Sequence, residues 1–461
     1  MTTTQTPSHK LQAETVILGF TGSIGSGCTY IAKGLSDQYK YTYYSLSDVL
    51  RKIAKDRKEI DKPTPKDLQD LGDELRGATT DSFLVQELFK TITAPPQDDD
   101  VIIIDSIRND GEVKTLKQFP NFYLFSVHAD ESVRLNRTLV QGKFKTDKEF
   151  FEADERDKAE EVHYGQQVKK CNYLADIIIN NNINIPKASK KTKKEFIDSL
   201  YEKYVMLIKD VIANSLTADN LPSLNETFMT MAYAESQRSS CLKRKVGAII
   251  ASIQINERIQ PGDKAINEAA NVLASGHNEV PFGTIPCIFS EHAKCYRDFL
   301  QESKGKKIKY CPGCGHAIKI SVKCPACSTS LESFSKSCPE CKKEIDAKKF
   351  KCESCGINVF DEFLQSGGGK LLDMCKALHA EENAVISLAK IINAKTDLIL
   401  YTTTYPCNMC ANKIVASGIQ KVVYADPYPM KEAKEILAAG KVVTEKFQGI
   451  KSSAYFRLYN Q

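Results

Sequence analysis

The chain has 461 residues, which exceeds what a single hydrophobic core usually holds and predicts two or three domains. Its apolar fraction of 42%, charged fraction of 26% and formal net charge of only +5 are ordinary for a globular protein and exclude a broad basic surface for nucleic acid. No apolar run approaches the length of a membrane span, and the N-terminal sequence lacks the apolar core of a signal peptide, so we expect a cytoplasmic protein with a disordered tail over residues 1–14.

The first part of the chain alternates short apolar runs with stretches long enough for helices. The runs are TVILGF (15–20), YTYYSL (41–46), VIIID (101–105), FYLFSV (122–127) and DIIIN (176–180). Runs that are apolar on both faces and separated by helix-length segments predict a buried parallel sheet with βα crossovers. We therefore expect an α/β domain over residues 15–185.

A glycine-rich loop with the frame G-x-x-x-x-G-x-T follows the first predicted strand and precedes a predicted helix. This is the frame of a phosphate-binding P-loop, but Cys28 stands where the lysine is expected. Backbone N–H groups and the helix dipole can bind phosphate without that lysine. Thr29 supplies a hydroxyl for Mg²⁺, and Asp105 ends a buried strand from which it can also reach the ion. The candidate nucleotide-binding residues are Gly22, Ser23, Ile24, Gly25, Ser26, Gly27, Cys28, Thr29 and Asp105.

The missing lysine bears on the activity of this domain, because phosphoryl transfer depends on positioned cations. SLSDVLRK (45–52) and RLNRTL (134–139) resemble the acceptor-side helix and the arginine-bearing lid of P-loop nucleoside-monophosphate kinases. The sequence predicts a domain that senses a nucleotide without transferring its phosphate. The alternative is a working kinase in which Arg108, Arg134 or Arg137 supplies the charge.

A lysine-rich boundary and an amphipathic helix follow, over residues 186–220. Apolar residues recur there at helical spacing from Phe196 to Val211, which predicts a connecting helix. Its lysines are interpreted as a solvated face, with nucleic-acid contact as the alternative.

The second domain is predicted over residues 221–461. Ser223 and Glu226 fit a capping box at the start of a helix. Strands are predicted at VGAIIAS (246–252) and NVLAS (271–275), and a cysteine-rich insertion over 287–370 interrupts the mixed α/β layer.

Two motifs after the insertion predict a catalytic zinc site. HAEENA contains His379 and Glu381, and TYPCNMC contains Cys407 and Cys410; H-x-E followed by P-C-x-x-C is the signature of zinc deaminases. One imidazole and two thiolates leave a fourth tetrahedral position open for water. Glu381 is then predicted to move the protons. The alternative is a lone histidine beside an unrelated structural knuckle.

Residues 221–461, without the insertion, resemble the deoxycytidylate deaminase family. The resemblance is carried by QRSSCLKRKVGAIIAS, ASGHNEVPFG, HAEENAV and YTTTYPCNMCANKIVASGIQKVVYADPYP. It implies a three-layer α/β/α domain that deaminates the cytosine ring of a deoxynucleotide. It also implies that Asn278 contacts the sugar or base, a turn role being the alternative, and that Arg238, Lys243 and Lys245 contact phosphate. Where the family has a G-Y-N-G-like loop, this chain has His277 and Glu279.

Eight of the sixteen cysteines form four C-x-x-C knuckles in the insertion. They predict two structural Zn²⁺ ions, because four thiolates close a tetrahedral site. In-order pairing gives one site from the first two knuckles and one from the last two, and interleaved pairing is the alternative. The zinc ions are interpreted as stabilising an insertion that is too small to bury a core of its own. Recognition of a partner is the alternative. The eight residues are Cys311, Cys314, Cys324, Cys327, Cys338, Cys341, Cys352 and Cys355.

A P-loop domain fused to such a deaminase domain resembles the bacterial anti-phage dCTP deaminases. The resemblance implies conversion of dCTP and dCMP to uracil nucleotides, a homo-oligomer and an inhibitory small RNA as partner. The regulatory nucleotide, with Mg²⁺, is predicted from the P-loop residues themselves. Two other functions stay open: a cytosine-editing deaminase acting on RNA or single-stranded DNA, and a bifunctional nucleotide kinase and deaminase. The absence of a basic tract interleaved with aromatic residues argues against editing.

Overall fold

The computed structural model describes most of the chain outside the cysteine-rich insertion. The described residues are 15–58, 60–92, 101–158, 165–183, 188–215, 221–255, 268–289, 375–389, 397–427 and 430–459, with a few positions between 295 and 344. The tail predicted over 1–14 lies outside them.

In the first half of the chain, successive strands are separated by one to three helices, and the elements of the whole described chain are as follows. The strands are β1 (Val16–Thr21), β2 (Thr42–Ser45), β3 (Val101–Asp105), β4 (Phe122–His128), β5 (Ile177–Asn180), β6 (Gly247–Ile255), β7 (Glu268–His277), β8 (Leu398–Thr404), β9 (Lys421–Asp426), β10 (Val443–Lys446) and β11 (Gly449–Ile450). The helices are α1 (Cys28–Tyr39), α2 (Leu46–Lys58), α3 (Pro65–Ala78), α4 (Phe83–Thr91), α5 (Asp110–Leu116), α6 (Glu131–Val140), α7 (Asp147–Lys158), α8 (Val168–Leu174), α9 (Lys190–Leu200), α10 (Met206–Ile212), α11 (Leu224–Ser236), α12 (Ala380–Ala389), α13 (Asn408–Ala416), α14 (Lys431–Ala439) and α15 (Ser452–Tyr459).

The first sheet has six strands in the order β11-β5-β4-β1-β3-β2. β1 to β5 are mutually parallel, and every residue of β1 and β3 is buried. Helices cover both faces, where two apolar cores form. The prediction of a parallel α/β sheet from the five apolar runs is therefore confirmed.

The second sheet has five strands in the order β10-β9-β8-β6-β7. β6 runs antiparallel to β7 and β8, whereas β8, β9 and β10 are parallel. One face packs against α11, and the other packs against α12, α13 and α14. This is the predicted three-layer arrangement.

The helix α11 begins with the predicted capping box. The Ser223 Oγ accepts from the Glu226 N–H at 3.3 Å, and the Glu226 Oε2 accepts from the Ser223 N–H at 2.9 Å. Glu226 has a further contact: its Oε1 accepts from the backbone N–H of Ile450 at 3.0 Å. The start of α11 is thereby tied to the last strand of the first sheet.

The C-terminal segment returns to the first sheet. Residues 449–459, which the sequence analysis groups with the second domain, contribute β11 antiparallel to β5, and α15 buries Ala454 and Leu458 in the core beneath β1 and β4. The helix α9, a π-helical turn (Tyr201–Val205) and α10 pack into the same core. The two sheets are therefore joined by an interface that both ends of the second domain help to form.

Within the described residues, no helix combines the length and the apolar character needed to cross a membrane.

Candidate functional site

His379, Cys407 and Cys410 converge at the edge of the second sheet. Cys407 is the N-cap of α13, which follows β8, and Cys410 lies in the first turn of that helix. His379 directly precedes α12. The His379 Nδ1 lies 3.3 Å from the Cys407 Sγ and 3.4 Å from the Cys410 Sγ. Tetrahedral ligands bonded to one zinc ion lie about 3.5 Å apart, so these three atoms fit a zinc site.

The electrostatics of this cluster favour the thiolate form of Cys407, whereas the hydrogen bond to Cys407 and burial raise the pKa of Cys410. Hydrogen bonds from Cys410 and His379 lower the pKa of Cys407 to about 4. The thiolate is the form that ligates metal, and a helix N-terminus also stabilises it.

Glu381 lies beside this cluster without being part of it. Its side chain is in the first turn of α12 and only 4% exposed. The Oε2 accepts from the Cys410 Sγ at 3.6 Å, and the Oε1 accepts from the Thr402 hydroxyl at 3.4 Å. Burial raises the pKa of Glu381 above its usual value. A buried carboxylate next to ligand atoms has the position expected of a proton-transfer group.

Three residues that sequence reasoning missed support this arrangement. Glu382 Oε2 accepts from the His379 N–H at 3.3 Å, and Lys413 forms an ion pair with Glu382 at 2.9 Å. Glu382 is the third residue after His379, so it caps the helix start from the N3 position, a spacing that the sequence does show. Thr402 contacts Glu381 from a neighbouring strand, and no local sequence pattern indicates such a contact.

Asn278 lies at the end of β7 and is 9% exposed. Its Oδ1 accepts from the Val246 N–H at 2.7 Å, and its Nδ2 donates to the Arg244 carbonyl oxygen at 2.8 Å. The amide therefore fixes the loop that leads into β6. Its neighbour Glu279 pairs with Leu378, next to His379, which puts Asn278 on the side of the sheet that carries the metal ligands.

The candidate phosphate-binding residues lie on the loop between α11 and β6. Arg238 forms an ion pair with Glu235 at 3.0 Å, and Lys243 forms one with Asp298 at 2.6 Å. The Lys245 Nζ donates to the backbone at 3.3 Å. These side chains are exposed.

The two residues that depart from the family pattern contact the end of α11 and the loop that follows it. The His277 Nδ1 lies 2.8 Å from the Glu235 Oε1. Glu279 accepts from the Ser240 N–H at 3.0 Å and the Ser240 hydroxyl at 2.6 Å. Hydrogen bonding to Ser240 and Val280 lowers the pKa of Glu279, with burial opposing the shift. His277 and Glu279 therefore help to hold the basic loop against the end of β7.

A second metal-ligand cluster is formed by Cys324, Cys327, Cys338 and Cys341. The Cys324 Sγ lies 3.6 Å from the Cys341 Sγ, and the Cys327 Sγ lies 3.5 Å from the Cys338 Sγ. The two knuckles have the same turn, since the residue after each second cysteine, Ser328 or Lys342, has φ of 59°. Four thiolates in this arrangement fit a structural zinc site.

This pairing corrects the in-order assignment, because within the described residues the second knuckle lies with the third. The sequence could not decide this, since all four knuckles have the same spacing. Cys311, Cys314, Cys352 and Cys355 lie outside the described residues.

The loop between β1 and α1 has the shape of a phosphate cradle. Gly25 and Gly27 have φ of 81° and 99°, values that favour glycine because a Cβ is strained there. The Ser26 N–H donates to the Ser23 carbonyl oxygen at 3.0 Å. Gly27 is the N-cap of α1, so the loop ends where the helix dipole favours an anion.

Cys28 supplies no positive charge to the cradle. Its Sγ lies 3.4 Å from the Ser26 hydroxyl, and burial together with the nearby Asp105 raises the pKa of the thiol to about 12. The group is therefore a neutral thiol at physiological pH.

Thr29 and Asp105 are in direct contact. The Thr29 hydroxyl donates to the Asp105 Oδ2 at 2.6 Å, and the Tyr43 hydroxyl donates to the same atom at 2.9 Å. Asp105 is fully buried. The two groups expected to serve Mg²⁺ are thus adjacent, with Tyr43 as a further partner that the sequence did not indicate.

Arg134 and Arg137 lie behind the loop and are both buried. The Arg134 Nη1 donates to the Ile24 carbonyl oxygen at 3.0 Å, and this guanidinium is paired with Asp154. The Arg137 Nη1 donates to the carbonyl oxygens of Gly25 and Ser26, at 3.2 and 3.1 Å. Both arginines therefore stabilise the loop through its outward carbonyl groups.

Arg108 pairs with a buried carboxylate next to the loop. It forms an ion pair with Asp157 of α7, and the Asp157 Oδ2 accepts from the Ile24 N–H at 3.1 Å. The Arg108 side chain is 24% exposed. Of the three arginines considered as replacements for the loop lysine, Arg108 is the one on the open side.

The cluster of His379, Cys407 and Cys410, with the buried carboxylate of Glu381 beside it, has the residues of the zinc deaminase signature in one place. Residues 222–426 match the family described as "Cytidine and deoxycytidylate deaminase zinc-binding region". The matched residues include His379, Glu381, Cys407 and Cys410. The second domain therefore contains a region that matches this family of zinc-binding deaminases.

The chain is similar to several proteins named as deaminases. It is 24% identical over 343 residues to the deoxycytidylate deaminase of Schizosaccharomyces pombe, covering 73% of this chain and 74% of that protein. It is 47% identical over 53 residues to the deoxycytidylate deaminase of Mycobacterium phage D29, covering 11% of this chain and 38% of that protein. The dCMP deaminase of cyanophage S-TIM5, solved with dCMP and dUMP, is 21% identical, with a TM-score of 0.25, over 49% of this chain and 98% of that one.

Proposed function

We propose that the chain is a zinc-dependent deaminase that converts deoxycytidine nucleotides, dCTP and dCMP, to deoxyuridine nucleotides and ammonia. The observation that carries the proposal is the buried Glu381 carboxylate beside the converging ligand atoms of His379, Cys407 and Cys410. The substrate class is supported by the family match and by the names of the similar proteins.

The proposed chemistry needs a zinc ion held by His379, Cys407 and Cys410, which would supply a water of lowered pKa. Glu381 removes a proton from the attacking water and delivers it to the ring nitrogen. A C–O bond forms at the carbon that bears the amino group, and the C–N bond then breaks. Glu381 then takes the remaining proton from the newly added hydroxyl group and delivers it to the amino group, which departs as ammonia while the carbonyl group forms.

Substrate contacts are proposed for Asn278, Arg238, Lys243 and Lys245. The three cations lie on the exposed loop that Asn278 fixes to the end of β7. Exposed cations on a positioned loop suit phosphate groups that remain partly solvated. Asn278 has a second lone pair and a second amide hydrogen with which to contact sugar or base.

Three zinc ions per chain are proposed, one catalytic and two structural. The cluster of Cys324, Cys327, Cys338 and Cys341 supports the first structural site. With those two knuckles paired, the second structural site would use the first and the fourth. Its ligands would be Cys311, Cys314, Cys352 and Cys355.

The P-loop domain is proposed to sense a nucleotide without transferring phosphate. The neutral Cys28 supports this, and so does the engagement of Arg134 and Arg137 with the loop backbone. Loop amides, Thr29 and Asp105 remain to bind a nucleotide with Mg²⁺.

The biological role proposed is depletion of dCTP during phage infection. It is supported by the combination of a P-loop domain, a deaminase-family domain and zinc knuckles in one chain, and by the resemblance that this combination carries. A homo-oligomer and an inhibitory small RNA are proposed on the same resemblance.

A nucleotide panel tests the proposed function. Ammonia release is measured from dCMP, dCDP, dCTP and CTP, and from cytosine-bearing RNA and single-stranded DNA oligonucleotides, each with and without ATP or GTP. We expect release from dCMP or dCTP and none from the oligonucleotides. Release from oligonucleotides alone would replace the proposal with an editing function.

A further inference from the structure

Three consecutive asparagines, Asn180 to Asn182, follow the buried part of β5. Successive side chains of an extended chain point in opposite directions. The Asn181 Nδ2 donates to the Ser26 carbonyl oxygen of the P-loop at 2.8 Å, and Asn181 is fully buried. One asparagine of the triplet is thus in direct contact with the phosphate cradle.

The preceding residue contacts the other domain. The Asn180 Nδ2 donates to the Lys446 carbonyl oxygen at 2.7 Å, and the Asn180 N–H donates to the Gln448 Oε1 at 3.2 Å. Lys446 is the last residue of β10, a strand of the deaminase sheet. Two adjacent residues therefore join the P-loop to the second sheet.

From β10 the backbone contacts lead to the metal ligands. The Phe447 N–H donates to the Tyr424 carbonyl oxygen of β9 at 2.8 Å, and the Tyr405 N–H donates to the Asp426 carbonyl oxygen, also of β9, at 2.8 Å. The rings of Tyr405 and Tyr424 pack edge to face, with centroids 4.7 Å apart. Cys407 is two residues beyond Tyr405.

At the P-loop, the peptide group between Ser26 and Gly27 connects Asn181 to the phosphate cradle. The Ser26 carbonyl that accepts from Asn181 belongs to the same planar unit as the Gly27 N–H, and in a trans peptide these groups point in opposite directions. Gly27 is the N-cap of α1, where a bound phosphate would meet the helix N-terminus. A rotation of this peptide on phosphate binding would move the acceptor of Asn181.

We infer that Asn180 and Asn181 couple nucleotide binding at the P-loop to the geometry of the deaminase site. The inference rests on the proposed nucleotide-sensing role of the loop. A displacement of the Ser26 peptide moves Asn181, which is bonded to it. Asn180 transmits that displacement to β10 and, through β9, to the segment before Cys407. Coupling is tested by measuring nucleotide binding and the deaminase response separately.

The domains have other contacts that keep them together when this one is removed. Lys451 is buried and donates to the carbonyl oxygens of Asn172 and Tyr173, at 3.3 and 2.7 Å. The pairing of β11 with β5 is also independent of Asn180 side-chain atoms. Loss of the Asn180 amide is therefore expected to weaken communication without separating the domains.

The experiment compares Asn180→Ala with Asn182→Ala in the zinc-loaded full chain. Asn182 is the matched control, because it is exposed and bonds only to Asp130 in the described part of the chain, at 2.8 and 3.1 Å. Two quantities are measured: ATP and GTP binding with Mg²⁺, by calorimetry, and ammonia release from dCMP with and without these nucleotides. The response is the ratio of the two rates.

Typical allosteric coupling changes an affinity by about 5–150-fold. We expect a wild-type response of at least about 5-fold and one below about 2-fold in Asn180→Ala, with nucleotide affinity and basal rate retained. Asn182→Ala should match the wild type. Asn180→Ser, which is too short to reach Lys446 in the same way, should repeat the loss and covers the case in which the alanine variant folds poorly.

The outcomes separate the two claims. An Asn180→Ala protein that binds nucleotide and keeps the full wild-type response overturns the coupling inference and leaves the sensor intact. A wild-type protein that binds no nucleotide, or binds one without a change in rate, overturns the sensor and the coupling together, while deamination itself would still stand.

Discussion

The Arg137 Nη1 donates to the Ser26 carbonyl oxygen at 3.1 Å, on the side of the P-loop away from the cradle. Its Nη2 donates to the Asn181 carbonyl oxygen at 2.7 Å. An arginine that the sequence places in a phosphate-binding lid therefore acts as a brace for the loop. This relationship argues against the idea that Arg137 replaces the missing lysine.

Removing Arg137 should disable the nucleotide site and leave the zinc site intact. Arg137→Ala leaves several buried carbonyl groups without their charged donor, and hydrogen bonds to charged groups are typically worth about 1.5–3 kcal/mol each. We expect a lower melting temperature, loss of ATP and GTP binding, and unchanged zinc content. Lys148→Ala, at an exposed lysine paired with Glu152, is the control and should change none of these. Unaltered nucleotide affinity in Arg137→Ala would count against the bracing role.

The P-loop domain should show no phosphoryl transfer. Loss of one preorganised electrostatic donor typically costs about 10²–10³-fold in rate, and Cys28 is a neutral thiol. We expect no transfer from ATP or GTP to any deoxynucleoside monophosphate, measured by separating labelled nucleotides. A turnover of even about 1 s⁻¹, the low end for kinases, would show a working kinase.

A bulky side chain in the phosphate-binding loop should change deaminase activity only by preventing nucleotide binding. Gly27 has φ of 99°, so Gly27→Val is strained there and blocks close approach of a phosphate. We expect lost nucleotide binding, a changed nucleotide response and retained zinc. A Gly27→Val protein whose deamination equals that of the wild type under every nucleotide condition would contradict the sensing role.

The pairing of the knuckles can be tested by counting zinc. Three variants replace cysteine by serine: at Cys324 and Cys327, at Cys338 and Cys341, and at all four positions. Because the four thiols form one cluster, each variant should lose the same single ion, and the quadruple variant should lose no more than either double. In-order pairing instead predicts that the quadruple variant loses two ions. Elemental analysis of the folded proteins distinguishes these results.

Much of the fold was predictable because the signals are local. The five apolar runs give the parallel strands, since a strand buried on both faces needs continuous apolar residues. Ser223 and Glu226 mark the start of α11 through a three-residue spacing. The signature around His379 and Cys407 likewise lies in two short segments, and the structure brings them together.

The features that sequence reasoning did not identify depend on contacts between distant segments. The sequence analysis predicts no element for the segment that forms β11 and α15, and β11 pairs with β5 about 270 positions earlier. Identical knuckle spacings give no basis for choosing partners. The roles of Asn180, Asn181 and Arg137 follow from atoms far apart in sequence, for which no periodicity exists.

The measurement that tests the central claim most directly compares wild-type protein with Glu381→Gln. Both are loaded with zinc and assayed for ammonia and deoxyuridine nucleotide from dCTP and dCMP. Glu381 is not among the clustered ligand atoms, so the variant should keep its zinc. General acid–base assistance is typically worth about 10²–10⁴-fold. The deamination rate of Glu381→Gln should therefore fall by at least about 10²-fold. Wild-type turnover in a zinc-loaded Glu381→Gln protein, or no deoxyuridine nucleotide from the wild type, would contradict the account.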